Sequence, residues 1–426
     1  MQRLIIFLFA GILLSSCAER YMSLEERLGS LEAEKIDTIS ADTSVFEKAY
    51  EIHLLQPVDH NDPGGEKFSQ RIYLSYAGPD RPVVLVTEGY GAERNYTTEL
   101  AAYLDCNQII AEHRYFGESV PENAGWEYLN TCQAASDHHR IIEIFSEMFS
   151  GEWITTGISK GGQTVMYHSY YYPDDAHIRI PYVAPLNFGP EDPRIYTFLD
   201  TVGSDFCRER VLAAQKHILD NRDVYYPMML EKAAEDGLTF TRVGGPEEAF
   251  EYAVLEYDFA YWQWGNTECD EILIEDDPEK VFDQFFSISD VSYFSDQGIE
   301  QFEPFFYQAL TEIGYYGYRF DLFDDQLEYV SDSDMPDFSF SAPQGIELDY
   351  DYELMEKVDE YIRDAYNFIF IYGMQDTWTA TGVQLSGRSN SLKIMKMEGD
   401  HRTRINNLPE EQRELVLKTL NDWLND

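Results

Sequence analysis

Apolar residues change their spacing several times along this chain, and the changes outline its organisation. Tyr50–Val58 and Phe68–Tyr76 are rich in aromatic and branched residues, with Asn61-Asp62-Pro63-Gly64-Gly65 between them, and predict two antiparallel strands around a turn. Pro82–Thr87, containing Val83-Val84-Leu85-Val86, and Gln108–Ala111 are unbroken apolar runs of strand length. Ala134–Phe149 switches to helical spacing. Trp153–Thr156 and Tyr182–Pro185 return to strand character. Continuous apolar strands alternating with helices predict an α/β protein whose parallel sheet is covered on both faces.

The alternation stops near Pro190. Residues 191–363 are acidic, aromatic and helical in period, as in Tyr257–Trp264 and Tyr307–Tyr318. Strands resume at Phe368–Tyr372 and Leu392–Met397, and Leu408–Leu424 closes the chain as an amphipathic helix. Pro409, Glu410 and Glu411 at its start suit a helix N-terminus. The expected plan is therefore a core in residues 45–190, a mainly helical cap inserted over 191–363, and the rest of the core in 364–426.

The first residues read as an address. Met1-Gln2-Arg3 precedes an apolar run, Leu4–Leu14, which is far shorter than the roughly 20 residues of a membrane span. It ends in Leu14-Ser15-Ser16-Cys17, which resembles a bacterial lipobox. We expect residues 1–16 to be a lipoprotein signal peptide, Cys17 to carry the lipid, and residues 17–44 to form a tether. The protein is then exported and held at the cell envelope by that anchor alone. Of the remaining cysteines, Cys106, Cys132, Cys207 and Cys269, none forms a C-x-x-C pair, so metal or thioredoxin chemistry has no support. An exported chain favours disulfides. The expected pairs are Cys106–Cys132 and Cys207–Cys269, each within one region.

With 31 Lys and Arg against 78 Asp and Glu, the net charge is −47. Such a surface repels phosphate backbones and excludes nucleic acid as a partner. The charge itself reads as solubility or adaptation to salt.

Gly157-Ile158-Ser159-Lys160-Gly161 matches G-x-S-x-G. It follows a strand and opens a helix, the context of a nucleophile elbow and thus of an α/β-hydrolase. A serine hydroxyl needs a base, and the base needs an orienting carboxylate, in the chain order Ser, acid, His for this fold. Among nine histidines only His401 lies in the last third, in a turn after the strand Leu392–Met397. Asp376 follows the strand Phe368–Tyr372 and is the expected acid, with Asp400 as runner-up. The oxyanion hole calls for two backbone N–H groups, expected from Lys160 and, in the loop after Pro82–Thr87, from Tyr90. The Lys160 side chain itself reads as solvated. No cofactor or metal is implied; Asp137-His138-His139 reads as helix surface.

Several stretches are familiar. Gln56-Pro57-Val58-Asp59-His60, Phe68-Ser69-Gln70-Arg71 and Ala111–Ser119 resemble the serine peptidases that include Pro-X carboxypeptidase and dipeptidyl peptidase II. Thr156–Gly162 and Tyr182–Pro185 are similar to the sister family, the bacterial tripeptidyl aminopeptidases of PS-10 type. The resemblance implies an α/β-hydrolase fold and a secreted, proline-directed exopeptidase working through Ser159, Asp376 and His401. Asp376-Thr377-Trp378 stands where those relatives carry Asp-Pro-Trp.

A peptide substrate with proline at the cleavage site needs an apolar pocket, and Phe305, Phe306, Tyr307, Tyr315, Tyr316, Trp262, Trp264 and Trp378 are candidates. A free α-amine needs a carboxylate, for which Glu88, Glu112 and Glu312 are the candidates. A carboxypeptidase instead wants a basic anchor, and the cap has few basic residues. Other readings are an esterase or lipase on the same core and a non-catalytic surface-binding lipoprotein.

Overall fold

The computed structural model describes residues 22–265 and 267–425. The apolar leader and Cys17 lie outside them. Nine strands form one sheet: β1 (Ala33–Ile39), β2 (Lys48–Pro57), β3 (Lys67–Tyr76), β4 (Val83–Thr87), β5 (Asn107–Ala111), β6 (Trp153–Ile158), β7 (Ile178–Tyr182), β8 (Ile369–Gly373) and β9 (Leu392–Lys396). Their order is β1-β2-β3-β5-β4-β6-β7-β8-β9. β1, β2, β3 and β5 pair antiparallel, and β5, β4, β6, β7, β8 and β9 run parallel.

The two-residue period of a strand explains the continuous apolar runs. In β4, Val84 and Val86 join one apolar cluster while Val83 and Leu85 join another on the opposite face. Helix Thr131–Ser146 covers the second face with Ile141, Ile142 and Phe145. Helices Glu99–Leu104 and Glu410–Leu424 cover the first with Leu100, Ala101, Val416 and Leu420. Between β7 and β8 the chain runs through helices and loops, and its aromatics form a third cluster with the helix Lys160–Tyr171.

Several expectations need correction. The segment expected to be a tether is, from Ser23 on, part of the fold: Ser23 caps a short helix, Leu24–Leu28, and β1 pairs with β2 at the sheet edge. Its charged residues hid it, yet charge on an edge strand is what deters edge-to-edge association. The strand placed at Tyr182–Pro185 ends at Tyr182, because Val183 turns the chain with a φ of 43°. Cys207 and Cys269 form a disulfide, but Cys106 and Cys132 do not. Cys106 is buried in the cluster on the Val84 face, whereas Cys132 is exposed at the start of a helix that packs on the other face. Asp137 and His138 are buried rather than superficial; the Asp137 carboxylate bridges Arg114 at 2.7 and 2.8 Å and His60 at 2.8 Å.

Candidate active site

Parallel strands place their C-terminal ends along one edge, and the loops after β4, β6, β8 and β9 converge there. β6 enters the helix Lys160–Tyr171 through Ser159, which is held at φ 55°, ψ −122°, a conformation costly for a residue with a side chain. The Ser159 N–H donates to the Tyr182 carbonyl at 2.8 Å. The neighbouring glycines permit this turn by close approach. A Cβ on Gly157 would lie 2.3 Å from the Gly161 carbonyl oxygen, and one on Gly161 would lie 2.4 Å from the Thr87 carbonyl oxygen. The G-x-S-x-G spacing is thus a packing requirement between β4, β6 and the helix.

The loops after β8 and β9 are stitched together. Met374 N–H donates to Lys396 O and Gln375 N–H to Gly399 O, both at 2.9 Å. This brings Asp376 under His401: the carboxylate Oδ2 lies 2.8 Å from His401 Nδ1, and Trp378 N–H donates to Oδ1 at 3.2 Å. Asp376 is fully buried, and burial pushes its pKa up while His401 opposes the shift. Asp400, the other expected acid, turns its Oδ1 to the Arg402 N–H at 2.8 Å. His401 N–H donates to the carbonyl of Gln263 at 2.9 Å, and Thr377 Oγ1 donates to Phe259 O at 2.9 Å. Helix Pro246–Trp264 of the insertion therefore rests directly on the loops that carry the acid and the imidazole.

Lys160 is the first residue of its helix, so its N–H is among the donors that the helix leaves unpaired. The loop carrying Tyr90 lies against it: a Cβ on Gly89 would meet Gly161 N at 2.6 Å and Lys160 Cβ at 2.7 Å. The Lys160 side chain is not solvated. It is buried, its Nζ donates to Gly89 O at 2.7 Å, and the rings of Tyr90 and Phe116 lie 5.5 and 5.2 Å away. Burial drives its pKa well below the usual lysine range.

A cavity of about 550 Å³ opens over Ser159. Ser159, His401, Tyr90, Glu88 and Trp378 all line it, and Phe305, Tyr315, Tyr316 and Trp264 complete an aromatic wall. Trp378 lies 5.4 Å from the Tyr315 ring and 5.0 Å from Phe259. Phe306, Tyr307 and Trp262 are not in the lining. Glu112 and Glu312 are also elsewhere. The Glu112 carboxylate is consumed internally by Arg71 at 2.5 Å, Ser119 at 2.7 Å and the N–H groups of Ala92 and Glu118. Glu312 accepts from Thr131 N–H at 2.6 Å and so caps the start of helix Thr131–Ser146. Burial holds its pKa up at about 7.

Two acids in the cavity were missed in the sequence, the exposed Asp290 and the buried Glu256. Glu256 lies on the buried face of helix Pro246–Trp264, one turn from Ala253 and Ala260, and accepts from the hydroxyls of Tyr316 at 2.8 Å and Tyr318 at 2.7 Å. Burial pushes its pKa up to about 8. Its signal was a carboxylate inside an otherwise apolar helical face, Val254-Leu255-Glu256-Tyr257. Glu88, whose pKa is also raised by burial, accepts from Tyr96 Oη at 2.6 Å. Among the described residues, Glu51, His53 and Glu118 bring three ligand-type atoms within 4.8 Å of one another, but Glu118 already pairs with Arg71 at 2.7 Å and none of the three lines this cavity.

A mixed sheet with a strained serine between β6 and its helix, and with an acid and a histidine after the last two strands, defines an α/β-hydrolase. Residues 22–425 match the profile of the PS-10 peptidase S37 family, and the chain belongs to that family. It is a serine peptidase. It is 30% identical over 376 residues to a prolyl tri/tetrapeptidyl aminopeptidase of Streptomyces mobaraensis, covering 86% of this chain and 78% of the relative. A shorter match, 30% over 124 residues, covers 26% of this chain and 25% of a probable serine protease, EDA2, of Arabidopsis thaliana. Among solved structures, a proline iminopeptidase of Mycobacterium smegmatis superposes with a TM-score of 0.36 and 13% identity, covering 87% of this chain and 98% of the other.

Proposed function

We propose that the protein is a proline-directed aminopeptidase that releases short peptides, three residues long in the first instance, from free N-termini. The observation that carries this reading is the single cavity that joins Ser159 and His401 to an aromatic wall and a buried carboxylate, Glu256. The wall offers flat apolar faces to a proline ring. Glu256 offers the substrate ammonium a partner in a site where an ion pair is little screened. The Streptomyces relative is named for the same activity.

In this reading the scissile carbonyl sits over Ser159 with its oxygen toward the N–H groups of Tyr90 and Lys160. Ser159 Oγ attacks the carbonyl carbon and His401 Nε2 takes its proton. Asp376, held on Nδ1, keeps the tautomer that leaves Nε2 free and stabilises the imidazolium. The C–N bond breaks as His401 returns the proton to the leaving amine. Water, deprotonated by the same imidazole, then releases the acyl group from Ser159. The two N–H donors act where negative charge develops and are worth about 10²-fold or more each in rate.

A fluorophosphonate tests the nucleophile. It is expected to label the wild type and to leave Ser159→Ala unlabelled. Labelling that persists in Ser159→Ala overturns the assignment. We propose further that the enzyme is exported and anchored through lipid on Cys17, on the strength of the leader pattern.

A further inference from the structure

A second cavity, of about 200 Å³, lies on the other side of the serine turn. Val86, Leu100, Thr156, Gly157, Ile158 and Tyr182 line it, together with Tyr96, Thr97, Arg404 and Asn406. It shares Ile158 and Arg404 with the cavity over Ser159, so the two spaces meet at the residue before the nucleophile. We infer that this second cavity receives the side chain of the first residue of the leaving peptide, and that it selects an apolar one. The inference rests on the peptidase reading given above.

Position supports the assignment. The aromatic wall and Glu256 occupy the first cavity, which leaves the departing amine the side nearer the imidazole loop. Arg404 belongs to that loop: its guanidinium donates to His401 O at 3.0 Å and to Thr403 O at 2.8 Å. The second cavity is bounded by that same arginine.

Chemistry supplies the preference. Several polar groups around the cavity are already committed to internal partners. Thr156 Oγ1 donates to Ile180 O at 2.8 Å, Thr98 Oγ1 to Gln108 at 2.7 Å, Thr97 Oγ1 to Asp42 at 2.9 Å and Tyr96 Oη to Glu88 at 2.6 Å. Glu99 accepts the N–H groups of Ile405 and Asn406 at 2.9 and 2.8 Å. The Arg404 guanidinium also lies over the Tyr182 ring, 5.6 Å from its centroid. What faces the cavity is then chiefly hydrocarbon from Val86, Leu100, Ile158 and the two tyrosine rings. Ile158 is 42% exposed, an apolar side chain left open to water beside a nucleophile. A ligand that covers it gains the transfer energy of that surface. A leaving glycine covers none of that surface and gains nothing from it.

The test uses the full chain and the peptides Ala-Ala-Pro-Leu-Ala and Ala-Ala-Pro-Gly-Ala, with Ala-Ala-Pro amide as a substrate that has no leaving residue. The wild type is expected to favour Leu over Gly by about tenfold or more in kcat/KM, the range that pocket contacts supply. Asn406→Trp, at an exposed lining position, is expected to erase most of that preference and leave amide hydrolysis unchanged. Thr97→Trp, at another lining position, is expected to do the same. Equal rates for the two peptides, or equal losses on the Leu peptide and on the amide, overturn the inference. Failure to cleave any of the three overturns the proline-directed aminopeptidase reading itself.

Discussion

Lys160 Nζ donates to the carbonyl oxygen of Gly89 at 2.7 Å, so the residue after the serine grips the loop that carries Tyr90. The lysine has no carboxylate partner there, and burial alone drives its pKa down. An amine kept in such surroundings costs stability. Its placement gains something else: it fixes the distance between the Tyr90 and Lys160 N–H groups, the two donors of the proposed mechanism. In Lys160→Met the grip is lost while volume is kept. The expected result is a kcat lowered about 10²-fold, the cost of a misplacement near 1 Å, with KM little changed. The unfolding midpoint is expected to hold or rise, since a buried amine has been removed. An unchanged kcat contradicts the role.

Glu256 is predicted to bind the substrate amine. Glu256→Gln should raise KM for free-amine peptides at least tenfold, as truncation of a buried charge pair does, with a smaller effect on kcat. The wild-type pH dependence has a definite sign. With Glu256 held up at about 8, its carboxyl is neutral below that pH and must lose a proton to pair with an ammonium. KM therefore falls as pH rises toward 8. It rises again once the substrate amine, with a pKa near 7.7–8.0, loses its own charge. A KM flat from pH 6 to 9 contradicts this.

Stability should also fall with rising pH. Burial pushes Glu256 to about 8 and Asp258, Glu312 and Asp337 to about 7. The unfolded chain ionises these carboxyls in the ordinary range near 4. Between the two ranges the folded state binds more protons, so its stability drops as pH rises. Asp137 acts in the opposite sense: burial is outweighed by Arg114 and His60, which hold it to about 2, and its contribution is lost only in strong acid. The expected thermal midpoint declines from about pH 5 to pH 8, and repulsion within a chain of net charge −47 adds to the decline. A midpoint that climbs over that interval contradicts the linkage.

Cys17→Ser tests the anchor. In the native host the variant is expected to leave the membrane fraction and appear in soluble form with its activity intact. Retention in the membrane fraction overturns the lipid assignment.

Legibility in the sequence followed burial. β4 and β5 were readable because both faces of the sheet are covered there, which leaves uninterrupted apolar runs. β1 was not, because an exposed edge strand of sequence Ala-Glu-Lys-Ile-Asp-Thr-Ile carries charges that resemble a linker. The end of β7 depended on the positive φ of Val183, which a β-branched residue gives no reason to expect. Ser159, Asp376 and His401 were proposed from their order after strands, and that order survives any error in strand boundaries. Glu256 was lost among 78 acids, since its meaning depends on which helix face is buried. The Cys106–Cys132 pairing failed because distance along the chain does not say on which side of a sheet a thiol lies.

The most direct test of the central claim is hydrolysis of Ala-Ala-Pro-p-nitroanilide with a free and with an acetylated N-terminus, using Ser159→Ala as the blank. The account predicts cleavage of the free peptide alone, abolished in Ser159→Ala. Equal cleavage of both forms by the wild type would contradict an aminopeptidase and make Glu256 a packing residue.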